Sequence, residues 1–321
     1  MHMKMAWLER LPAGLFAIPY SLFGLSGAWR RAAVFEWQLA PVASSLLLTL
    51  ATCLWVVLLL CYALKCLLHP QAVQREFKHP VQCALLSLLP LSMLLAAVSL
   101  GQAGSLPWLL PVLLALMLQG LLALRLISQM VTGQMPSHAI TPALYLPPVA
   151  GGLIGGLSLA SLGYPACGAL LFGVGLAGWA LLEMRVLGRL FEGPLPEALR
   201  PTMGVELAPA PVATLAAAVI WPQLPADVLL IGLGIGIVPI VAVLVRYRWW
   251  TEVPFSAGFW SFGFPLAALA AAVTEVVRRG GLPPYVAGAT LLLASAVIAF
   301  LALRTVMLLV RGKLLPAAAT S

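Results

Sequence analysis

Two acidic residues within apolar stretches have the clearest capacity for chemistry in this sequence. Glu206 and Glu275 stand in or beside long runs of Leu, Ala and Val, and an ionisable group at membrane depth is costly and usually functional. Such a carboxyl can carry a proton, lie near a polar mouth, or pair with a basic residue between helices. The five cysteines and four histidines show neither CxxC nor HExxH spacing, so the sequence predicts no metal site and no cofactor.

A second pattern is a proline well inside five of the apolar stretches, at Pro19, Pro90, Pro148, Pro211 and Pro265. Proline removes one backbone hydrogen bond and frees the carbonyl one helical turn earlier. In hydrocarbon that carbonyl must find a partner or line a watery cavity. Because the prolines recur once per pair of apolar stretches, they predict five kinked inner helices around a shared axis.

The composition indicates the kind of solvent that surrounds these stretches. Hydrophobic residues make up 62% of the 321 residues and charged residues only 9%, whereas a soluble domain carries about a quarter charged residues. Lipid must therefore cover most of the surface. The net charge of +8 comes from Lys and Arg in short breaks between apolar runs, not from the clustered basic face of a nucleic-acid binder. These observations exclude a soluble enzyme and predict no nucleic-acid partner.

The apolar runs predict an all-α integral membrane protein with a single transmembrane domain over residues 1–321. Its ten transmembrane helices would form five helical hairpins, with an inner ring of five kinked helices around a central pore. The predicted spans are 11–29, 39–64, 81–100, 107–128, 142–162, 165–184, 202–221, 226–246, 255–276 and 284–310.

The distribution of basic residues predicts the orientation. With this segmentation, fourteen of the 18 Lys and Arg residues, Lys4 among them, lie on one side of the membrane. Only Arg30, Arg31, Arg278 and Arg279 lie on the other. Because loops rich in Lys and Arg remain in the cytoplasm, both termini are predicted to be cytoplasmic.

Five segments, in order along the chain, resemble the tellurite-resistance/dicarboxylate transporter family. The similarity is greatest to its bacterial tellurite-resistance members, and plant guard-cell slow anion channels are more distant relatives. The segments are LPAGLFAIP at 11–19, REFKHPVQ at 75–82, YLPPVA at 145–150, RPTMGVELAP at 200–209 and GFWSFGFPLA at 258–267.

The resemblance implies a homotrimer in the bacterial inner membrane, in which each protomer conducts small inorganic or organic anions through its own pore. It also implies an association with tellurite resistance and a phenylalanine that closes the pore from the ninth helix. The matching residue is Phe264, directly before Pro265. Phe262, two residues earlier, would point away from it on a helix. Glu206 departs from the family pattern, which has an apolar residue there.

Anion selectivity has no obvious source within the predicted spans, because no Lys or Arg stands in the middle of an inner one. Lys78, Arg200 and Arg248 are predicted to lie at the cytoplasmic mouth, where they would concentrate anions by long-range attraction. A neutral, weakly binding lumen would then let the anions pass.

Three other functions are weighed against the sequence. A coupled transporter could export tellurite or lipophilic cations, or move C4-dicarboxylates with protons carried on Glu206 or Glu275. A membrane enzyme would need a nucleophile and base, or a metal cluster, at membrane depth, and no histidine lies in a predicted span. A structural membrane scaffold would show no flux at all.

Overall fold

The computed structural model describes residues 6–315, and within that range every regular element is helical. Lys4 and both chain ends, which enter the predicted orientation, lie outside the described residues. The α-helices are α1 (Ala6–Glu9), α2 (Ala17–Ala32), α3 (Leu39–Leu68), α4 (Pro70–Lys78), α5 (Pro80–Leu86), α6 (Leu88–Leu100), α7 (Leu106–Val131), α8 (Gly151–Ser161), α9 (Pro165–Glu192), α10 (Pro209–Ile220), α11 (Ala226–Val245), α12 (Tyr247–Thr251), α13 (Gly263–Arg278) and α14 (Pro284–Val310).

Nine helical segments in the described part of the chain are long and apolar enough to cross a membrane, and each overlaps one of the ten predicted spans. The predicted span 11–29 instead contains a 3-10 turn at Ala13–Phe16 followed by α2, which has only 16 residues. The nine segments are Leu39–Leu68, Pro80–Leu100, Leu106–Val131, Pro142–Ser161, Pro165–Glu192, Glu197–Ile220, Ala226–Val245, Ala257–Arg278 and Pro284–Val310.

Burial separates these segments into two groups that alternate along the chain. In the segments at 80–100, 142–161, 197–220 and 257–278, between 67% and 83% of the most apolar 18-residue stretch is buried inside the protein. The other five are only 11% to 28% buried, and their exposed side chains are mostly Leu, Val and Ile. The short helix α2 belongs with the buried group, since 11 of its 16 residues are buried. The apolar outer faces suit a protein solvated by lipid.

Helix contacts follow the same alternation. Each buried helix packs against the lipid-facing helix that follows it, as in the pairs α2 and α3, α8 and α9, and α13 and α14. Buried helices also touch one another in sequence, from α2 to α6, α8, α10 and α13. The last of them, α13, contacts α2, so the series of contacts closes on itself.

The five prolines lie where each buried segment changes its helical form. Pro19, Pro90, Pro211 and Pro265 each occupy the third position of an α-helix, and Pro148 lies in a π-helical segment at Leu146–Ala150 that leads into α8. A first-turn proline takes no hydrogen bond away, because the first N–H groups of an α-helix lack partners within it. The prolines thus mark junctions, with 3-10, π or interrupted helix before them and regular α-helix after them.

Contacts from α7 and α9 hold the irregular and the regular part of the 142–161 segment in place. The Gln119 side chain of α7 donates from Nε2 to the carbonyls of Leu146 at 2.6 Å and Pro147 at 3.1 Å, which supplies donors to a broken stretch of backbone. On α8, a Cβ at Gly152 would lie 2.5 Å from the Gly175 Cα of α9. The glycines of this segment therefore serve close packing of backbones.

Candidate functional site

The irregular starts of the buried segments enclose a cavity of about 300 Å³. Its walls come from residues 12–20, 81–88, 145–153, 198–212 and 257–265, so all five buried segments contribute. Four of the five family-like segments, at 11–19, 145–150, 200–209 and 258–267, overlap these walls over most of their length, whereas the segment at 75–82 reaches the wall only at Val81 and Gln82. The lining is mostly apolar, with a few polar side chains such as Gln82, Tyr145 and Thr202.

A second, smaller cavity of about 30 Å³ lies between the regular α-helical parts of the same five segments. It is lined by residues of α2, α6, α8, α10 and α13, including Arg30 and Arg31 at the C-terminal end of α2. Among the described residues, Phe264 is the one side chain that lines both cavities. It therefore separates the two spaces.

Local structure directs the Phe264 side chain to this position. Phe264 follows the 3-10 segment Ala257–Phe262 and is the second residue of α13. Its side chain is buried, and its ring stacks on that of Tyr20 with centroids 3.9 Å apart and an interplanar angle of 30°. Gly24, one turn along α2 from Tyr20, leaves room for the ring, since a Cβ there would lie 2.9 Å from Phe264 Cδ2.

A Gly24→Ala substitution should displace the Phe264 ring, because the added methyl would also lie 3.3 Å from Ala267 Cβ and has no free direction. The family resemblance implies that this ring closes a pore, and on that expectation Gly24→Ala should give a single-channel conductance in lipid bilayers above that of the wild type and below that of Phe264→Ala. Added to Phe264→Ala, the same change should have a much smaller effect, since the contact with the ring is gone and only the 3.3 Å contact with Ala267 Cβ remains. Gly173→Ala is the control, because nothing lies within 4 Å of a Cβ at that position. A conductance in Gly24→Ala equal to that of the wild type would contradict the expectation that Gly24 leaves room for the Phe264 ring in the closed pore.

Phe262 occupies a different environment from Phe264. Its ring lies 4.5 Å from the Trp250 ring and 6.5 Å from that of Phe259, and it lines neither cavity. The two phenylalanines are nearly equally buried, at 7% and 5% exposure. They form a matched pair in which only one side chain separates the cavities.

The three basic residues predicted to lie at one mouth are not brought together on the cavity wall. Lys78 is exposed on α4, and Arg248 is exposed beside Tyr247. Arg200 packs over the Trp249 ring at 5.1 Å and lies 3.9 Å from Glu252. None of the three lines either cavity.

Glu206 is buried behind the cavity wall, between the 3-10 segment Glu197–Leu207 and α9. Its carboxyl lies close to Glu183 and Tyr145. Tyr145 and Trp179 both donate to Glu183 Oε2, at 2.8 Å and 2.9 Å. Within the described part of the chain, Glu206 Oε2 has no hydrogen-bond partner. The second acid of the sequence prediction, Glu275, is in contrast surrounded by arginines.

Sequence analysis did not identify Tyr20, Gly24 or Arg31 as functional residues. They recur at helical spacing on α2, with Gly27 between the last two, and so lie on the face of the helix that meets the cavities. That spacing was visible in the sequence. The spacing indicates a function only once the structure shows that Tyr20 stacks on the Phe264 ring. No set of three His, Cys, Asp or Glu side chains that could hold a metal ion occurs in residues 6–315.

Two comparisons relate this sequence to known proteins. The SLAC1 family model, described as voltage-dependent anion channel, matches residues 10–308, a range that contains the lining of both cavities. The tellurite resistance protein TehA homolog of Haemophilus influenzae is 29% identical over 318 residues, which cover 94% of this chain and 92% of that protein. With its many apolar helices, the chain is thus a multi-pass membrane protein that belongs to the SLAC1 family of voltage-dependent anion channels.

Proposed function

We propose that this protein is a passive anion channel or uniporter whose pore is closed by the Phe264 side chain. The observation that carries the proposal is that Phe264 alone, of the described residues, lines both cavities. If its ring moved away from Tyr20, the two spaces would join into one path between the buried helices. Membership of an anion channel family supports an anion as the permeant species.

The path requires the five buried segments to form a ring. Their closed series of contacts, from α2 through α6, α8 and α10 to α13 and back to α2, supports that arrangement. The shared lining of both cavities supports it as well. In this arrangement α2, together with the 3-10 turn before it, is the tenth crossing, and the lipid-facing helices form an outer ring of hairpin partners.

The sequence and the family resemblance support a proposal for the location, orientation and assembly of the channel. We place it in the bacterial inner membrane as a homotrimer with one pore per protomer, and with both termini in the cytoplasm because of the basic residues in alternate loops. The large cavity would then open toward the cytoplasm. By similarity to the tellurite resistance protein of Haemophilus influenzae, conduction through this pore would contribute to tellurite resistance.

A coupled transporter is the second candidate function, and the surroundings of Glu206 are the observation that favours it. A carboxyl that is buried beside Glu183 and lacks a hydrogen bond at Oε2 is a site where a proton could bind and be released. It lies behind the cavity wall, however, because its neighbours Val205 and Ala208 line the cavity and Glu206 does not. Passive conduction is thus the better-supported function.

Reversal potentials in planar lipid bilayers separate the two functions. With the purified protein, we expect the reversal potential to follow the gradient of chloride, nitrate or malate and to ignore a pH gradient. A reversal potential that moves with pH, and ceases to do so in Glu206→Gln, would instead identify a proton-coupled carrier. Absence of any anion flux in intact reconstituted protein would contradict both.

A further inference from the structure

Arg30 and Arg31 are, among residues 6–315, the only basic side chains that line either cavity. Both belong to the smaller cavity, on the other side of Phe264 from the large one. The prediction from sequence places anion attraction at Lys78, Arg200 and Arg248, at the opposite mouth. The structure thus offers a different source of positive charge for an anion path.

Arg31 is held firmly in place beside the cavity. Its Nη1 donates to the Gly27 carbonyl at 3.1 Å, and its Nε lies 3.4 Å from Glu275 Oε1. The side chain is 18% exposed, so the guanidinium is largely shielded from bulk solvent but still reaches the cavity. A guanidinium has more N–H groups than these two contacts use. The remaining ones can donate to an anion.

Arg30 lines the same cavity and contacts the C-terminal end of α6 directly. It donates from Nη1 to the Ser99 carbonyl at 3.0 Å and from Nη2 to the Val98 carbonyl at 3.3 Å. Ser99 and Val98 also line the cavity. These carbonyls are the negative end of a helix dipole, and Arg30 offsets them at a place where they would otherwise repel an anion.

The charges around this cavity do not cancel. Glu275 Oε2 accepts from Arg278 at 2.6 Å and lies 3.8 Å from Arg279, in addition to the contact of Glu275 with Arg31. One carboxylate is thus shared among three arginines. With Arg30, the cluster has four arginines and one carboxylate, and two of those arginines, Arg30 and Arg31, line the cavity.

We propose that Arg30 and Arg31 form an anion-binding site within the pore that selects small inorganic anions over cations. This inference rests on the proposed channel function and assigns its selectivity. The cavity of about 30 Å³ exceeds the roughly 10–15 Å³ that one water needs, which suits a small inorganic anion better than a dicarboxylate. Partial neutralisation of Arg31 by Glu275 keeps binding weak enough for the ion to leave, as conduction requires.

The test uses Phe264→Ala as the open parent, with Arg30→Gln and Arg31→Gln added singly and together. The chloride-to-potassium permeability ratio is measured from reversal potentials under a potassium chloride gradient. In the double substitution we expect the ratio to fall roughly tenfold or more, since charge-assisted hydrogen bonds to the anion are lost. Arg31→Lys should retain most of the selectivity, because it keeps the charge. Lys78→Gln and Arg248→Gln, which remove charges away from both cavities, should leave the ratio unchanged.

The possible failures are distinguishable. An unchanged ratio in the double substitution, with the parent still conducting chloride, would overturn the inference and leave the proposed function intact. Absence of anion current in the folded parent would overturn the proposed function and this inference with it. Arg30→Gln alone changes an exposed side chain and should fold normally, so a partial loss of selectivity in that variant supports the inference even if Arg31→Gln is unstable.

Discussion

Phe264→Ala should open the pore and raise single-channel conductance in lipid bilayers by roughly tenfold or more, because lowering a barrier by about 1.4 kcal/mol already speeds passage about tenfold. Among the described residues, Phe264 is the one whose side chain lines both cavities. Its removal would join them at a constriction next to small residues such as Gly24 and Ala268. A wider and less apolar constriction also holds water more readily, and dewetting of an apolar constriction is itself a barrier to ions.

Phe262→Ala is the matched control for this result. Both substitutions remove a buried phenylalanine ring from adjoining parts of one segment, and such truncations typically destabilise a protein by about 3–5 kcal/mol. The Phe262 ring packs on Trp250 outside both cavities, so its loss should lower stability without raising conductance. If both variants conduct alike, or if Phe264→Ala remains silent while folded, Phe264 is not the gate.

Much of the fold could be predicted from the sequence, because lipid imposes a simple pattern on it. A span must be apolar over about 20 residues, and nine of the ten predicted spans overlap helical segments. Some ends agree closely, as at 142–162 and Pro142–Ser161, whereas the predicted 165–184 stops eight residues before the end of Pro165–Glu192. The first span is the exception. Its apolar run is shortened by Arg30 and Arg31, and it begins with a 3-10 turn before the 16-residue α2.

The positions of the prolines within their helices differ from the prediction. A proline within an apolar run predicts a kink in a continuous helix, but the structure places Pro211 and Pro265 in the first turn of an α-helix, after a 3-10 segment. Sequence alone does not reveal that the preceding residues have left the α-helical form, because 3-10 and α-helix share the same apolar composition. The segments before the prolines then provide most of the cavity wall.

The candidate site could be predicted only in part, because it depends on which helices meet. Phe264 emerged from the family resemblance and not from its spacing. Arg30 and Arg31 appeared as loop charges at the end of the first span, and only the packing of α2 against α6 and α13 brings them to the smaller cavity. The closeness of Glu206 to Glu183 likewise depends on the packing of two segments that are separate in sequence.

The second large effect is expected at the ion pair between Lys65 and Glu76. Lys65 lies near the end of α3 and its side chain is fully buried. Its Nζ donates to Glu76 Oε1 at 2.6 Å and to the Leu11 carbonyl at 2.6 Å, and Tyr62 donates to Glu76 Oε2 at 2.7 Å. Glu76→Ala would leave the ammonium group buried without a counter-charge. We expect the free energy of unfolding in detergent to fall by about 3–5 kcal/mol, as when one partner of a buried pair is removed.

Glu9→Ala makes the same chemical change in an exposed pair and is the control. Arg75 Nη2 lies 2.6 Å from Glu9 Oε1, and the side chains of Glu9 and Arg75 are 45% and 69% exposed. Such surface pairs contribute about 0–1 kcal/mol to stability. Replacing both members of the buried pair, with Lys65→Met added to Glu76→Ala, should recover much of the loss, because no charge then remains unpaired. Equal effects of Glu76→Ala and Glu9→Ala would show that the Lys65 pair does not stabilise the fold.

The position of this pair connects stability with the pore. Lys65 binds the carbonyl of Leu11, and the next residue, Pro12, lines the large cavity together with Gly14. The buried ammonium of Lys65 thus connects α3, α4 and the start of the first buried segment. Loss of Glu76 should therefore loosen the wall of the large cavity as well as the fold. The conductance of Phe264→Ala should become more variable between open events when Glu76→Ala is added, whereas the addition of Glu9→Ala should leave it uniform.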